Sequence, residues 1–168
     1  MAVIGAMALA AHGYSRRTGD FDLATTTDPF SVLRRVRDAL AARGLEVELR
    51  EPDMDDPLGG VLVVRGAEAK PVEVVNFLNP HAPSRGRIGI AAVNTAVPLQ
   101  EGGLPVVDLP HLVALKLYAG GRKNELDVLE LLARNPDADL SAIRELCARF
   151  RLADEWQRLE QILGEPEK

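Results

Sequence analysis

The stretch Val3-Ile4-Gly5-Ala6-Met7-Ala8-Leu9-Ala10-Ala11-His12-Gly13-Tyr14-Ser15-Arg16-Arg17-Thr18-Gly19-Asp20-Phe21-Asp22-Leu23-Ala24-Thr25 holds a strand, a helix and a second strand in close succession. Ala2 to Ile4 is a short apolar strand. Gly5 opens a small-residue helix through Ala11, and Gly13 stops it. Phe21 to Thr25 is predicted as the second strand, because Asp20 and Asp22 alternate with Phe21 and Leu23. Residues two apart on a strand share a face, so the two carboxylates stand side by side at the strand start while Phe21 and Leu23 turn inward. Hard oxygen ligands in this arrangement suit magnesium, which keeps some waters and takes the rest of its shell from phosphates. Gly5 lies at a strand-to-helix junction, where backbone N–H groups attract phosphate and small residues let it approach. Asp-x-Asp alone commonly marks only a solvated turn or a helix cap. Here it stands with Gly5, Gly13, Arg16 and Thr18, and the set describes a phosphate cradle joined by one helix to a two-carboxylate metal site.

Outward from this stretch, Asp28-Pro29 marks a helix start, and Val32, Leu33, Val36 and Leu40 form one apolar stripe down to Gly44. Leu45 to Leu49 alternates as a strand, and Glu51 to Asp56 is an acidic loop. Val61 to Val64 and Val72 to Phe77 are strands around a Gly66-centred turn. Residues 80–87 form a polar loop, and Ile88 to Leu99 is expected to contain one or two more strands. After Pro105 the pattern turns helical. Asp108 caps a helix to about Tyr118, and Gly120-Gly121 breaks it. Helices over about 124–133, 140–150 and 153–163 follow. The expected fold is α/β (α+β): a mixed twisted sheet with packed helices and a C-terminal helical segment. Residues 1–105 would form the core, with 106–168 packed on it.

The 168 residues suit one domain, and 46% hydrophobic content provides for a core built from Val, Leu, Ile and Ala, since aromatics are only 4%. A net charge of −5 argues against a protein that coats nucleic acid non-specifically. The single cysteine, Cys147, forms no internal disulfide and reads as a small core residue, which fits a reducing, cytoplasmic setting. The apolar start has an Ala-x-Ala spacing but no basic residue before Arg16, and it is too short to span a membrane. No membrane association is expected.

The run from Val3 to Thr25 resembles the nucleotidyltransferase superfamily signature of strand, Gly-Gly or Gly-Ser turn, helix and Arg-x-Thr-x-Asp-x-Asp segment. It is most similar to the AbiEii-like branch, known from bacterial toxin–antitoxin and abortive-infection systems. Glu73, in Pro71-Val72-Glu73-Val74-Val75, stands where the family places its third carboxylate. Asp108 to Leu117 matches the family's helix with a buried lysine, here Lys116. Arg122-Lys123-Asn124 to Asp127-Val128 matches its Lys-Asp-x-x-Asp helix. The likeness covers roughly the first 130 residues in separate pieces. There are four departures: Ala6 for the second Gly or Ser of the turn, Glu73 for Asp, Asn124 for Asp, and no helix before the first strand. They leave two expectations open, a start short of the family's and a partly degenerate site.

The resemblance implies transfer of a nucleoside monophosphate from a nucleoside triphosphate to an acceptor hydroxyl. Asp20, Asp22 and Glu73 would hold Mg2+ (or Mn2+) and do the catalysis, while Gly5, Ala6, Arg16, Thr18, Lys116 and Asp127 would bind the nucleotide. The acceptor is open: RNA such as tRNA, a protein hydroxyl or a small molecule. An antitoxin partner is implied by the toxin–antitoxin branch. The alternative is a protein of the same fold that binds or regulates without catalysing. Lys116 either reaches the triphosphate or snorkels to water, and Asp127 either orients Lys116 or the nucleotide or is a surface carboxylate. Arg16 would neutralise phosphate, Thr18 serve the turn, and Arg17 face solvent. Arg34, Arg35 and Arg37 read as a solvated helix face, with an RNA patch as the sharper alternative. His81, Arg85 and Arg87 fall in a loop able to close over a substrate, and His12 and His111 read as structural.

Overall fold

The computed structural model describes residues 1–67, 69–82 and 87–164. Among the described residues seven strands form one sheet: β1 (Ala2–Val3), β2 (Phe21–Thr25), β3 (Glu46–Arg50), β4 (Val61–Arg65), β5 (Val72–Asn76), β6 (Val97–Pro98) and β7 (Pro105–Val106). The helices are α1 (Gly5–Ala11), α2 (Arg34–Ala41), α3 (Arg87–Thr95), α4 (Leu109–Ala119), α5 (Arg122–Ala133), α6 (Leu140–Arg149) and α7 (Ala153–Gly164), with a π-helical turn, Pro29–Leu33, leading into α2. The fold is therefore mixed α/β, with the sheet and its helices preceding a helical third.

The sheet order is β3-β4-β5-β2-β1-β7-β6. β2 runs parallel to β5 and β1 parallel to β7, and the other neighbours are antiparallel. β2 thus sits near the middle of the sheet, held by β1 on one edge and β5 on the other. Helix starts follow their caps: Asp108 accepts from His111 N at 2.9 Å and Asp139 from Ala142 N at 2.9 Å, each satisfying an orphan first-turn donor. One buried cluster joins Val3, Leu23 and Val106 of the sheet to Leu112, Val128 and Trp156 of the helices. The expected boundary after residue 105 cuts through β7, and the last third shares the core of the first two. Among the described residues no helix is long and apolar enough to cross a membrane.

Two expectations are corrected. Arg87–Thr95 is helix α3, and only Val97–Pro98 of the Ile88–Leu99 stretch is strand. A short apolar run does not itself distinguish the two states. Packing selects the helix: Ile88 and Ala92, four apart, are both buried, and Gly89 lies so close to Phe77 that a Cβ would stand 2.0 Å from its ring. The second correction concerns the stripe leading into α2. Of its members only Leu33 is buried, whereas Val32 and Val36 are exposed and Leu40 is half-buried. Leu33 N bonds Asp28 O, an i→i+5 contact, so the stripe begins in a π-helical turn and not in a regular α-helix.

Candidate active site

The carboxylates are placed by strand register. In the parallel β2–β5 pair Asp22 stands directly opposite Glu73, so the two side chains lie together on neighbouring strands. Asp20 lies one residue ahead of β2, and its Oδ1 accepts from Thr18 Oγ1 at 2.5 Å. One carboxylate oxygen from each of Asp20, Asp22 and Glu73 falls within 4.8 Å of the other two. Partial burial, together with the charges of Asp20 and Glu73, pushes the Asp22 carboxyl above its ordinary range, and Lys116 and Arg16 pull it back in part. Magnesium holds oxygens at about 2.1 Å, so ligands across the ion stand roughly 4 Å apart. The all-oxygen donor set and the mutual repulsion both fit a hard divalent cation.

Gly5 is part of the same construction. Its φ is +62°, and a Cβ there would stand 1.9 Å from Asp22 Oδ2. Glycine is needed at this position because the carboxylate occupies the space of its missing side chain. Ile4 N donates to Asp22 O at 3.1 Å, which holds the turn against the strand. The Ala6 methyl is buried, so only its backbone could meet a ligand.

Beside the carboxylates lies a buried charge network. Asp127, 2% exposed, takes a bidentate pair from Arg16 at 2.7 and 2.9 Å and a third bond from Lys116 Nζ at 2.8 Å. Burial alone would raise the Asp127 carboxyl, but its bonds to Arg16 and Lys116 and their charges outweigh it and hold the carboxyl low. Lys116, 9% exposed, neither snorkels nor lacks a partner, and Asp127 is no surface carboxylate. Asn124 Oδ1 accepts from Lys116 at 3.3 Å, while Asn124 Nδ2 donates to Gly120 O at 2.6 Å. An amide at this position bonds the lysine without a second negative charge, so the Arg16–Asp127–Lys116 group keeps a net positive charge beside the carboxylates.

A cleft of about 580 Å³ adjoins this network, with Gly5, Leu58, Phe77, Leu115, Lys116 and Tyr118 in its wall. Sequence reasoning missed Leu58 and Tyr118. The signals were Pro57-Leu58 ending an acidic loop and an aromatic two residues after Lys116. Two buried asparagines pin that loop: Asn79 Nδ2 donates to the carbonyls of Asp53 and Asp56 at 2.8 Å, and Asn76 Nδ2 to that of Gly59 at 2.9 Å.

The remaining candidates lie elsewhere or serve structure. Arg34 pairs with Glu51 and Arg37 with Asp38, leaving Arg35 as an exposed cation of that face. Arg17 is exposed, with its carbonyl accepting from Arg16. His81 packs edge-on to Phe30, Arg87 begins α3, and Arg85 lies outside the described residues. His12 Nε2 contacts Val107 O at 2.8 Å and His111 caps with Asp108, both structural. Cys147 is buried, and burial pushes its thiol up to about 11, which makes it inert at neutral pH. No protein-family model matches the chain, and no curated protein matches it.

Proposed function

We propose that this chain is a divalent-cation-dependent nucleotidyltransferase, transferring a nucleoside monophosphate from a nucleoside triphosphate to an acceptor hydroxyl. The observation that carries the reading is the convergence of Asp20, Asp22 and Glu73 within 4.8 Å, with the buried Lys116 and the half-buried Arg16 close enough to act on Asp22. Asp20, Asp22 and Glu73 would hold the cation, which when bound neutralises phosphate charge and acidifies the acceptor hydroxyl. Arg16 and Lys116 would face the triphosphate as fixed positive charge. The acceptor oxygen bonds to the α-phosphorus, the bond from that phosphorus to the pyrophosphate oxygen breaks, and the hydroxyl proton passes to Glu73. Little covalent chemistry is asked of the protein, because positioning and charge neutralisation dominate transfers of this kind.

Incubation with each labelled nucleoside triphosphate, magnesium and total cell extract tests the reading. Label is expected to enter an RNA, protein or small-molecule fraction, and the fraction names the acceptor class. The Asp20→Asn, Asp22→Asn double variant is expected to transfer none and to lose the magnesium-dependent thermal shift with nucleotide. Magnesium-dependent binding without transfer to any fraction would leave a binding or regulatory protein in place of an enzyme.

A further inference from the structure

The three carboxylates of the site are held in different ways. Strand register sets Asp22 opposite Glu73, and Gly5 abuts the Asp22 side chain. Asp20 stands one residue ahead of β2, outside the paired register. Its carboxylate is oriented instead by Thr18, two residues upstream, whose hydroxyl donates to Asp20 Oδ1 at 2.5 Å. That length is at the short end for a hydroxyl on a carboxylate, where charge strengthens the bond. The backbone on either side of Asp20 is tied down as well. Lys70 Nζ donates to the Thr18 carbonyl at 2.9 Å, and Phe21 N donates to Pro71 O at 2.9 Å. Thr18 and Asp20 are both half-buried. Among the described residues Asp20 is the one member of the three whose side chain accepts a hydrogen bond.

We propose that Thr18 is a positioning residue that restricts Asp20 to ligation through one oxygen, so that the cation site selects Mg2+ or Mn2+ against Ca2+. The proposal rests on the cation site of the reading above. Chelation of one ion by a carboxylate needs both oxygens turned to it. The Thr18 hydroxyl takes a lone-pair direction of Oδ1 and fixes the carboxylate plane, which leaves Oδ2 as the free donor. Mg2+ demands near-octahedral geometry at about 2.1 Å, which the narrow bite of a chelating carboxylate distorts. Ca2+ takes six to eight oxygens at about 2.3–2.6 Å and accepts a carboxylate through one oxygen or two. A site that denies it the second oxygen withholds part of the shell it prefers. Selection between the two ions follows from ligand number and rigidity. Thr18 supplies rigidity at the one ligand that strand pairing leaves unset. Hydrogen-bond partners behind a metal ligand typically change affinity about 10–100-fold when they are removed.

The test uses the full chain and the bare cations. Mn2+ binding is read from the loss of its free-ion paramagnetic resonance signal, and Mg2+ and Ca2+ are titrated as competitors. The parent is expected to bind Mg2+ more tightly than Ca2+. Thr18→Val keeps the branched shape without the hydroxyl, and it is expected to weaken Mn2+ and Mg2+ about tenfold while changing Ca2+ by less than about threefold. Thr18→Ser keeps the hydroxyl and is expected to retain the parent's ratio of Mg2+ to Ca2+ affinity. Thr18→Ala repeats the comparison without the valine's bulk, and melting curves verify that each variant is folded. A parent that binds Ca2+ as tightly as Mg2+, a ratio unchanged in Thr18→Val and Thr18→Ala, or a ratio lost equally in Thr18→Ser would overturn the role of Thr18 and leave the cation site standing. Absence of Mn2+ binding in the parent, or binding that survives in the Asp20→Asn, Asp22→Asn double variant, would overturn both this proposal and the cation site it rests on. Because the readout is binding alone, a Thr18-dependent cation preference without nucleotidyl transfer would uphold the role of Thr18 while the transferase reading fails.

Discussion

Single residues here carry opposite electrostatic consequences. Asp22 has its carboxyl raised above the ordinary 3.8 by burial and by Asp20 and Glu73. The folded state therefore holds more protons than the unfolded chain between 3.8 and the raised value, and stability falls as pH rises through that interval. In cation-free buffer at neutral pH, Asp22→Asn is expected to raise Tm by about 2–4 °C, the effect of about 1 kcal/mol in a chain of this size. The variant should also lose the stabilisation the parent gains from magnesium. A thermal melt with and without chelator checks both, and an unchanged or lowered Tm counts against mutual repulsion at the site. Asp127 behaves in the reverse sense. Its carboxyl is held low despite burial, so its contribution is present above 3.8 and is lost as pH falls through the lowered value. Asp127→Leu strands Arg16 and the buried Lys116, with an expected cost of about 3–5 kcal/mol. Lys116→Met leaves Asp127 its bidentate Arg16 and keeps the aliphatic volume, so about 1 kcal/mol is expected, together with loss of nucleotide affinity. Equal destabilisation by the two variants in denaturant titrations would refute Asp127 as the shared counter-charge.

Among the elements, the β1–α1 turn and the β2–β5 pair act as one device. The parallel register brings Asp22 opposite Glu73, and the turn at Gly5 closes over the Asp22 carboxylate. Gly5 and Gly13 flank the same helix, both with positive φ, but they differ in surroundings. A Cβ at Gly5 meets Asp22 Oδ2 at 1.9 Å, whereas nothing lies within 4 Å of one at Gly13. Gly13→Ala therefore costs only backbone strain, about 1 kcal/mol. Gly5→Ala adds a steric conflict that displaces the metal-site carboxylate, and it is expected to abolish magnesium-dependent nucleotide binding while Gly13→Ala retains it. Calorimetry on the two variants checks the contrast, and indistinguishable binding would show that the turn is not part of the site.

Across the whole molecule, the helical third and the sheet share one interior. Val3, Leu23, Leu112, Val128 and Trp156 belong to one buried cluster, and burial of each large side chain contributes about 1.5–3 kcal/mol. The site has the same joint origin, since Arg16 comes from the first third and Asp127 and Lys116 from the last. A fragment of residues 1–105 is expected not to fold cooperatively, because it ends within β7 and lacks the helices that cover the sheet. A sharp melting transition or dispersed amide spectrum from that fragment would contradict a single shared core.

Much of this was legible in local pattern. Strand β2 came from the alternation of Asp20-Phe21-Asp22-Leu23, helix α1 from Gly5 and Gly13, and α4 from the Asp108 cap, because each signal lies within a few residues of what it specifies. The Asp22–Glu73 pairing was expected from family likeness; strand register then realised it across fifty intervening positions. Three features depended on the folded surroundings. Arg87 to Thr95 is a helix whose buried face, Ile88, Gly89 and Ala92, is defined by what packs on it, with Gly89 against Phe77. The stripe after Asp28 begins in a π-helical turn and leaves Val32 and Val36 exposed, with only Leu33 buried. The full partnership of Lys116 arose where α4, α5 and the loop before β2 meet. Periodicity records which face of an element is apolar, but burial, register and charge pairing are properties of two surfaces in contact, and the second surface lies elsewhere in the chain.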